Sequence, residues 1–214
     1  MDIRLSVSNL GKRFQTEWIF RRLSYTFQAG TTYAITGPNG SGKSTLLKVL
    51  SGQLPPSEGT ISYLINNHPV DADEVFRYIG FAAPYMDLMD EFTLMEQLRF
   101  HFSLKPLVPG FTPEQVMDEM YLSDAAFKQL GNFSSGMKQR LKLGLCLFTN
   151  SPVVLLDEPS SNLDSRAMVW YREQLAKLKN GRLIIIAGNN PQEFPPEARV
   201  ISLPDWKPGK QPVT

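Results

Sequence analysis

The sequence predicts an α/β fold in which an antiparallel β part precedes a parallel sheet and an α-helical insertion interrupts that sheet. Apolar and polar residues alternate near the start of the chain, and short aliphatic runs typical of parallel sheets occur near its end. A segment with helical spacing lies between them. The length of 214 residues fits one domain, which we expect to divide into a core of residues 1–84 and 150–204 and a helical part of residues 85–149.

The first elements are strands. Alternating residues in 3–7 and 23–27 predict two half-buried antiparallel strands, with Gly30 as a turn. The elements that follow are an apolar strand, a glycine-rich loop, a helix stopped by Gly52 and two further strands, the first of which ends in a turn of Asn66 and Asn67 before His68. These elements are predicted at residues 32–36, 37–42, 44–51, 61–65 and 78–83.

Three helix starts are visible in the middle of the chain. Thr93 with Glu96 forms a capping box, and Thr112 with Gln115 forms a second one with proline at the first helical position. A third helix opens at Ser134 or Ser135.

The last part of the chain alternates between strands and a helix. Residues 153–156 and 183–187 are continuous aliphatic runs, which predict strands buried on both faces. Residues 165–180 carry apolar side chains on one helical face and end before Gly181. A short strand at 200–203 precedes the tail.

Composition limits the classes of protein. Hydrophobic residues make up 42% and charged residues 20%, which is ordinary globular usage. The net charge of +1 argues against a nucleic-acid partner. The longest aliphatic run, residues 183–187, is far shorter than the ~20 residues that cross a bilayer, so we expect a cytoplasmic protein.

Cysteine and histidine usage gives no sign of a metal site. The single cysteine, Cys146, lies among apolar residues and is expected to be a buried free thiol. His68 and His101 are far apart and are predicted to lie in a loop and on a helix surface. The basic residues near the start are interpreted as a solvated face; they are Lys12, Arg13, Arg21 and Arg22.

A glycine-rich loop between strand and helix predicts a phosphate site. Its pattern is Gly, four residues, Gly, Lys and Ser, in the required structural setting. Glycines let backbone N–H groups point at phosphate oxygens, and the helix start adds its positive dipole end. Lys43 is expected to reach the β and γ phosphates and Ser44 to bind Mg²⁺. The predicted nucleotide-binding residues here are Gly37, Pro38, Asn39, Gly40, Ser41, Gly42, Lys43, Ser44 and Thr45.

Two acidic residues, Asp157 and Glu158, follow the buried strand predicted at residues 153–156. Asp157 is placed at the carboxyl edge of the sheet, where ligands of open α/β folds bind, and is expected to help hold Mg²⁺. Glu158 is the group best placed to orient, or take a proton from, the water that attacks the γ phosphate.

Three segments together resemble the ATP-binding subunit of ABC transporters: the loop at 37–45, the signature-like segment at 132–140 and the acidic segment at 155–164. The resemblance extends from Ile3 to about Leu203. It implies a P-loop NTPase fold of the ABC ATPase type, ATP and Mg²⁺ as cofactors, and ATP hydrolysis.

The resemblance also implies partners. Two such subunits, identical or paralogous, would meet head to tail, and Ser134, Ser135 and Gly136 would contact the ATP held by the other chain. A hydroxyl-bearing helix start is an anion site, which fits that role. Asp164 would lie at the dimer seam, cap the following helix, or do both. Phe14 matches the aromatic residue that stacks on adenine, with core packing as the alternative.

Two positions depart from the family pattern. Pro84 stands where the family usually has a glutamine, and a proline side chain has no donor or acceptor. Asn189 stands where a histidine is usual; its amide can still donate to the γ phosphate but cannot take up a proton near neutral pH. We therefore expect ATP binding and dimerisation with slow hydrolysis.

Three functions remain open. The chain is interpreted first as the ATPase of a transporter whose membrane-spanning subunit is a separate chain, which places it at the inner face of the cell membrane. The helical insertion would then dock that subunit, with Tyr85, Met86 and nearby apolar residues as candidates. The alternatives are a soluble ABC-type ATPase in assembly or repair, and a nucleotide switch with little turnover.

Overall fold

A computed structural model describes residues 2–179 and 181–207. Within them the strands form an antiparallel sheet in the order β2-β1-β4-β5 and a parallel sheet in the order β6-β7-β8-β3-β9. The strands are β1 (Ile3–Phe14), β2 (Glu17–Gln28), β3 (Thr32–Thr36), β4 (Glu58–Ile65), β5 (His68–Val70), β6 (Ile79–Ala82), β7 (Val153–Asp157), β8 (Leu183–Ala187) and β9 (Arg199–Ser202). The predicted α/β class with an antiparallel β part is confirmed.

The predicted antiparallel pair is a long hairpin. Leu5 pairs with Phe27, and Val7 pairs with Tyr25. The hairpin turns near Gln15, whose φ is +52°, and β2 leads into β3 through Gly30, whose φ is +74°. Both strands extend beyond the alternating residues, because β-bulges let the pairing continue through residues 10–14.

Four of the described helices begin where their caps predict, and α1 begins at Lys43, one residue before its predicted start. They are α1 (Lys43–Leu50), α2 (Leu94–Leu104), α3 (Pro113–Glu119), α4 (Ser135–Leu147) and α5 (Ser165–Leu178). Both predicted capping boxes are formed; in the first, the Thr93 N–H donates to Glu96 Oε2 at 2.8 Å. Of the two predicted starts for α4, Ser134 is the cap, since its Oγ accepts from Met137 N at 3.2 Å.

The aliphatic strands are buried on both faces, as predicted. Side chains alternate across a strand, so Val154 and Leu156 pack against the helices while Val153 and Leu155 pack against the antiparallel sheet and α1. The parallel sheet therefore lies between two apolar layers. Its carboxyl edge is held rigidly from both sides, which positions the loops that follow the strands.

Several details differ from the sequence interpretation. α5 ends at Leu178, and the predicted end at Asn180, like most of the tail, lies outside the described residues. Lys12 is not solvated: its side chain is buried and donates to the Pro55 carbonyl at 2.8 Å. Cys146 is buried as predicted. Among the described residues, no helix is both long and apolar enough to span a membrane.

His101 is packed against the end of α4 instead of lying on a helix surface. Its Nε2 and the Thr149 hydroxyl are 2.8 Å apart. Burial first, and the Lys105 ammonium second, lower the pKa of His101 from 6.5 to about 4, although the Leu145 carbonyl opposes this shift.

This burial predicts a pH-dependent loss of stability. The unfolded chain binds the proton first, so the contribution of His101 is complete above pH 6.5 and is lost as the pH falls toward 4. We expect His101→Gln to reduce the fall in the free energy of unfolding over that window by about 2 kcal/mol. Urea denaturation at pH 7, 5.5 and 4 measures it. His68→Gln is the control because His68 is exposed; equal slopes for the parent and His101→Gln would contradict the assignment.

Candidate functional site

Four loops meet at the carboxyl edge of the parallel sheet. β7 pairs with both β6 and β8, and β8 pairs with β3. The register sets Ala187 beside Asp157 on one side and Ile35 on the other. This edge of the sheet therefore brings together segments that lie far apart in the sequence. They are the phosphate loop, the two acids, Asn189 and the segment containing Pro84.

The glycine-rich loop curls before α1 begins. Gly37, Gly40 and Gly42 have φ values of +150°, +74° and +101°. A Cβ on Gly42 would lie 2.2 Å from the Ile19 side chain, so only glycine fits beneath the hairpin at this point. The Ser41 N–H donates to the Pro38 carbonyl at 3.0 Å and closes the turn. The loop and the first turn of α1 contain all the residues predicted for the phosphate site, from Gly37 to Thr45.

Lys43 bends back over this loop. Its side chain is 4% exposed, and its ammonium donates to the Gly37 carbonyl at 2.8 Å and to the Pro38 carbonyl at 3.4 Å. Ser41 Oγ is buried without a hydrogen-bond partner among the described residues. The loop thus holds a buried ammonium and a free hydroxyl beside exposed backbone at Asn39 and Gly40.

Asp157 is a buried carboxylate that lacks donors. The residue is 1% exposed, and neither carboxylate oxygen has a hydrogen-bond partner within the described part of the chain. Burial raises the pKa of Asp157, while the nearby Ser44 hydroxyl lowers it. A buried carboxylate is stable only when paired or bound to a cation.

The donor set fits Mg²⁺. No group of three or more His, Cys, Asp or Glu side chains in the described residues is arranged to hold a metal. Mg²⁺ usually needs only one or two protein oxygens, since it keeps several waters and binds substrate phosphates. Asp157 and Ser44 are oxygen-bearing side chains available for this beside the phosphate loop.

Glu158 has an unusual backbone. Its φ is +43°, a left-handed conformation that is strained for a non-glycine residue. Its N–H donates to the Ala187 carbonyl at 2.7 Å, which anchors the turn to β8. The residue is half-buried and directly follows β7 at the carboxyl edge of the sheet.

The predicted signature residues lie at the start of α4, where Gly136 is next to the Asn162 carbonyl. Ser134 and Ser135 are exposed at the start of α4, and among the described residues no hydrogen bond joins Ser134, Ser135 or Gly136 to the phosphate loop. Ser135 is the first residue of the helix, a position that does not require glycine. Asp164 caps α5, since its Oδ1 accepts from Ala167 N at 2.7 Å.

Phe14 lies near the hairpin end and is 47% exposed, so the core-packing alternative is wrong. The Lys12 ammonium lies 5.2 Å from the centre of its ring. Ile19, on the other strand of the hairpin, is the residue that touches Gly42. The hairpin therefore carries an accessible aromatic ring on the element that covers the phosphate loop.

Asn189 is joined directly to the phosphate loop. Its Nδ2 donates to Asn39 Oδ1 at 2.7 Å. The loop after β8 is thus closed onto the mouth of the glycine-rich loop by two side-chain amides. The other departure, Pro84, offers only its carbonyl, which accepts from Lys142 Nζ at 2.5 Å.

Sequence reasoning missed a buried glutamate that joins two of these loops. Glu193 is 2% exposed; its Oε1 accepts from the Ser160 hydroxyl at 2.6 Å, and its Oε2 accepts from Asn190 N at 3.3 Å. Burial raises the pKa of Glu193. Asn190 and Glu193 have the spacing of a capping box, and this pattern predicts the bond between Asn190 N and Glu193 Oε2. Nothing local indicated the contact with Ser160.

Comparisons with known proteins agree with this geometry. A family model described as ABC transporter matches residues 20–161. The chain is 30% identical over 192 residues to YybJ, an uncharacterized ABC transporter ATP-binding protein of Bacillus subtilis, covering 89% of this chain and 87% of that protein. It is 33% identical over 183 residues to Nod factor export ATP-binding protein I of Burkholderia lata, covering 83% of this chain but only 60% of the relative's length.

The fold is also found among solved structures. The dimeric ATP-binding cassette MJ0796, in a post-hydrolysis state bound to ADP and Pi, superposes with a TM-score of 0.81. The match covers 96% of this chain and 95% of that one at 23% identity. At this identity the likeness establishes the fold.

Proposed function

This chain belongs to the ABC transporter family of ATP-binding proteins and is an ATPase of that type, and on that premise we propose that it binds Mg-ATP at the loop 37–45 and hydrolyses it at a head-to-tail dimer interface. The hydrolysis would drive transport through a separate membrane-spanning partner. The observation that carries the proposal is the buried Asp157 carboxylate without donors at the edge that holds the phosphate loop.

Each residue of the edge has a distinct task. The Lys43 ammonium, already held over the loop by two carbonyls, transfers its hydrogen bonds to the β and γ phosphates when ATP binds. Ser44 and Asp157 hold Mg²⁺, which when bound neutralises charge that develops on the phosphates. Glu158 orients the attacking water or accepts its proton.

A second subunit would complete the site. Ser134, Ser135 and Gly136 form a helix start with two exposed serines, and no hydrogen bond in the described part of the chain joins it to the phosphate loop. Backbone N–H groups at such an end attract anions. We assign this end to the γ phosphate of ATP bound by the other subunit, identical or paralogous, and Phe14 to the adenine ring.

The membrane-spanning partner would dock at the helical part, residues 85–149. A cleft of about 310 Å³ lies between α2, α4 and the segment after β6, and Met86, Leu88 and Gln97 line it. Met86 and Met89 are exposed beside it at 37% and 42%. Mixed apolar and polar lining of this kind suits a protein segment. Co-purification of the chain from membranes, with identification of the associated protein, tests the assignment.

Hydrolysis by the isolated chain is expected to be slow. Pro84 supplies no side-chain polar group at the edge, and Asn189 cannot take up a proton near neutral pH and is hydrogen-bonded to Asn39. We expect turnover at saturating Mg-ATP well below the order of 10 per second that is typical of enzymes. A steady-state phosphate-release assay measures it, and calorimetry of ATP binding is the control. A rate near 10 per second without a partner would contradict this expectation.

The nucleotide-switch alternative rests on the same two positions. The amide pair of Asn39 and Asn189 closes one loop onto the other, which would respond to a bound γ phosphate. Single-turnover measurements separate the two functions: a switch retains its ATP over many minutes even when its partner is present.

A further inference from the structure

The residue after Pro84 lies at the same edge as Asp157. β6 and β7 pair in parallel with Ala82 beside Leu156, so the chain that leaves β6 runs past the end of β7. The turn there is fixed at two points, since Met86 N donates to the Ala83 carbonyl at 3.2 Å and Lys142 holds the Pro84 carbonyl. Tyr85 therefore projects from a defined turn.

The Tyr85 ring is also held in place. The Lys48 ammonium lies 4.0 Å from the ring centre, a short cation–π contact. Lys48 belongs to α1, the helix that begins at the phosphate loop. The ring thus connects the turn after β6 to that helix, with 47% of the residue exposed.

Tyr85 lies close enough to Asp157 for each side chain to affect the pKa of the other. Burial first, and Asp157 second, raise the pKa of Tyr85, and the hydroxyl in turn lowers the pKa of Asp157. Neither Asp157 oxygen yet has a hydrogen bond of standard geometry. A phenol is a donor that also keeps acceptor capacity, which suits a site holding both a carboxylate and water.

We propose that Tyr85 is a positioning residue, whose hydroxyl donates to Asp157, orients that carboxylate for the nucleotide-bound Mg²⁺ and supplies the polar group that Pro84 lacks. The inference rests on the proposed function. It explains how a proline is accommodated at this edge: the polar group is provided by the next residue along the turn.

Tyr85→Phe tests the hydroxyl alone, because phenylalanine keeps the ring under Lys48. The measurement is the rise in melting temperature of the ATP-saturated full chain as Mg²⁺ is titrated from a chelated start. Loss of one hydrogen bond to a charged group predicts a concentration of Mg²⁺ for half-maximal effect that is about tenfold higher. ATP affinity in the chelator should be unchanged.

Two further variants make the result specific. Tyr121→Phe is the matched control, since Tyr121 is exposed at 58% on the helical part, and it should titrate as the parent does. Pro84→Gln added to Tyr85→Phe returns a polar side chain to the edge and should recover most of the lost Mg²⁺ response.

The outcomes separate the two proposals. A Tyr85→Phe variant that titrates as the parent does overturns the role of Tyr85 and leaves the nucleotide site intact. A shift that Pro84→Gln does not reverse also counts against the proposal. The Tyr85 hydroxyl would then not be replacing the polar group that Pro84 lacks. A parent chain that shows no response to ATP with Mg²⁺ overturns the proposed function itself.

Discussion

Replacing Glu158 with glutamine is expected to stop ATP hydrolysis and to hold the chain as an ATP-bound dimer. Glutamine keeps the size of the side chain and can fit the same strained turn, whose N–H is anchored to Ala187. It accepts no proton, however, and a general base contributes about 10²- to 10⁴-fold to a rate. ATP then stays bound between two subunits. Gel filtration with ATP and Mg²⁺ should give a dimer, and phosphate release should fall by that factor.

The control for this variant is Glu173→Gln, which removes an exposed carboxylate from α5 and leaves the residues of the proposed nucleotide site unchanged. It should elute and hydrolyse as the parent does. If Glu158→Gln remains a monomer with ATP and Mg²⁺, the head-to-tail arrangement is wrong. Dimerisation in the chelator alone would show instead that the dimer does not depend on the complete nucleotide site.

The parts of the fold that the sequence predicts well depend on neighbours a few residues apart. The capping boxes at Thr93 and Thr112 and the phosphate loop are all local, because the groups that bond are within a few positions of each other. Alternation predicted the β1–β2 pairing for the same reason. Family resemblance then ordered these pieces into one architecture.

The contacts that escaped prediction join distant segments. Asn189 and Asn39 are 150 residues apart, Glu193 and Ser160 are 33 apart, and Lys12 and Pro55 are 43 apart. Its charge made Lys12 look solvated, and no nearby residue in the sequence indicated that Asn189 bonds Asn39 or that Glu193 bonds Ser160. The strand order β6-β7-β8-β3 brings the loops of the first two pairs together, and the pairing of β1 with β4 brings Lys12 near Pro55. Tyr85 escaped for this reason too: the sequence makes it a docking candidate, and only the pairing of β6 with β7 places its turn at the edge that holds Asp157.

Removing the Lys43 side chain should abolish tight ATP binding. The ammonium is buried at the centre of the loop and has two carbonyl partners there, so it is held in place before the phosphates arrive. Hydrogen bonds between charged groups contribute about 1.5–3 kcal/mol each, and Lys43 can make at least two of them to phosphate oxygens. We therefore expect Lys43→Ala to weaken ATP binding by at least about 100-fold, as measured by calorimetry.

The matched control is Lys177→Ala, which removes an ammonium that pairs with Glu119 at 2.5 Å on a part of the surface outside the nucleotide site. That pair is partly exposed, so its loss costs little and should leave ATP affinity unchanged. An ATP affinity of Lys43→Ala within threefold of the parent would mean that the loop's backbone N–H groups bind the phosphates without this ammonium. The glycines and the α1 dipole would then be sufficient for binding, and the role of Lys43 would be confined to stabilising charge that develops during hydrolysis.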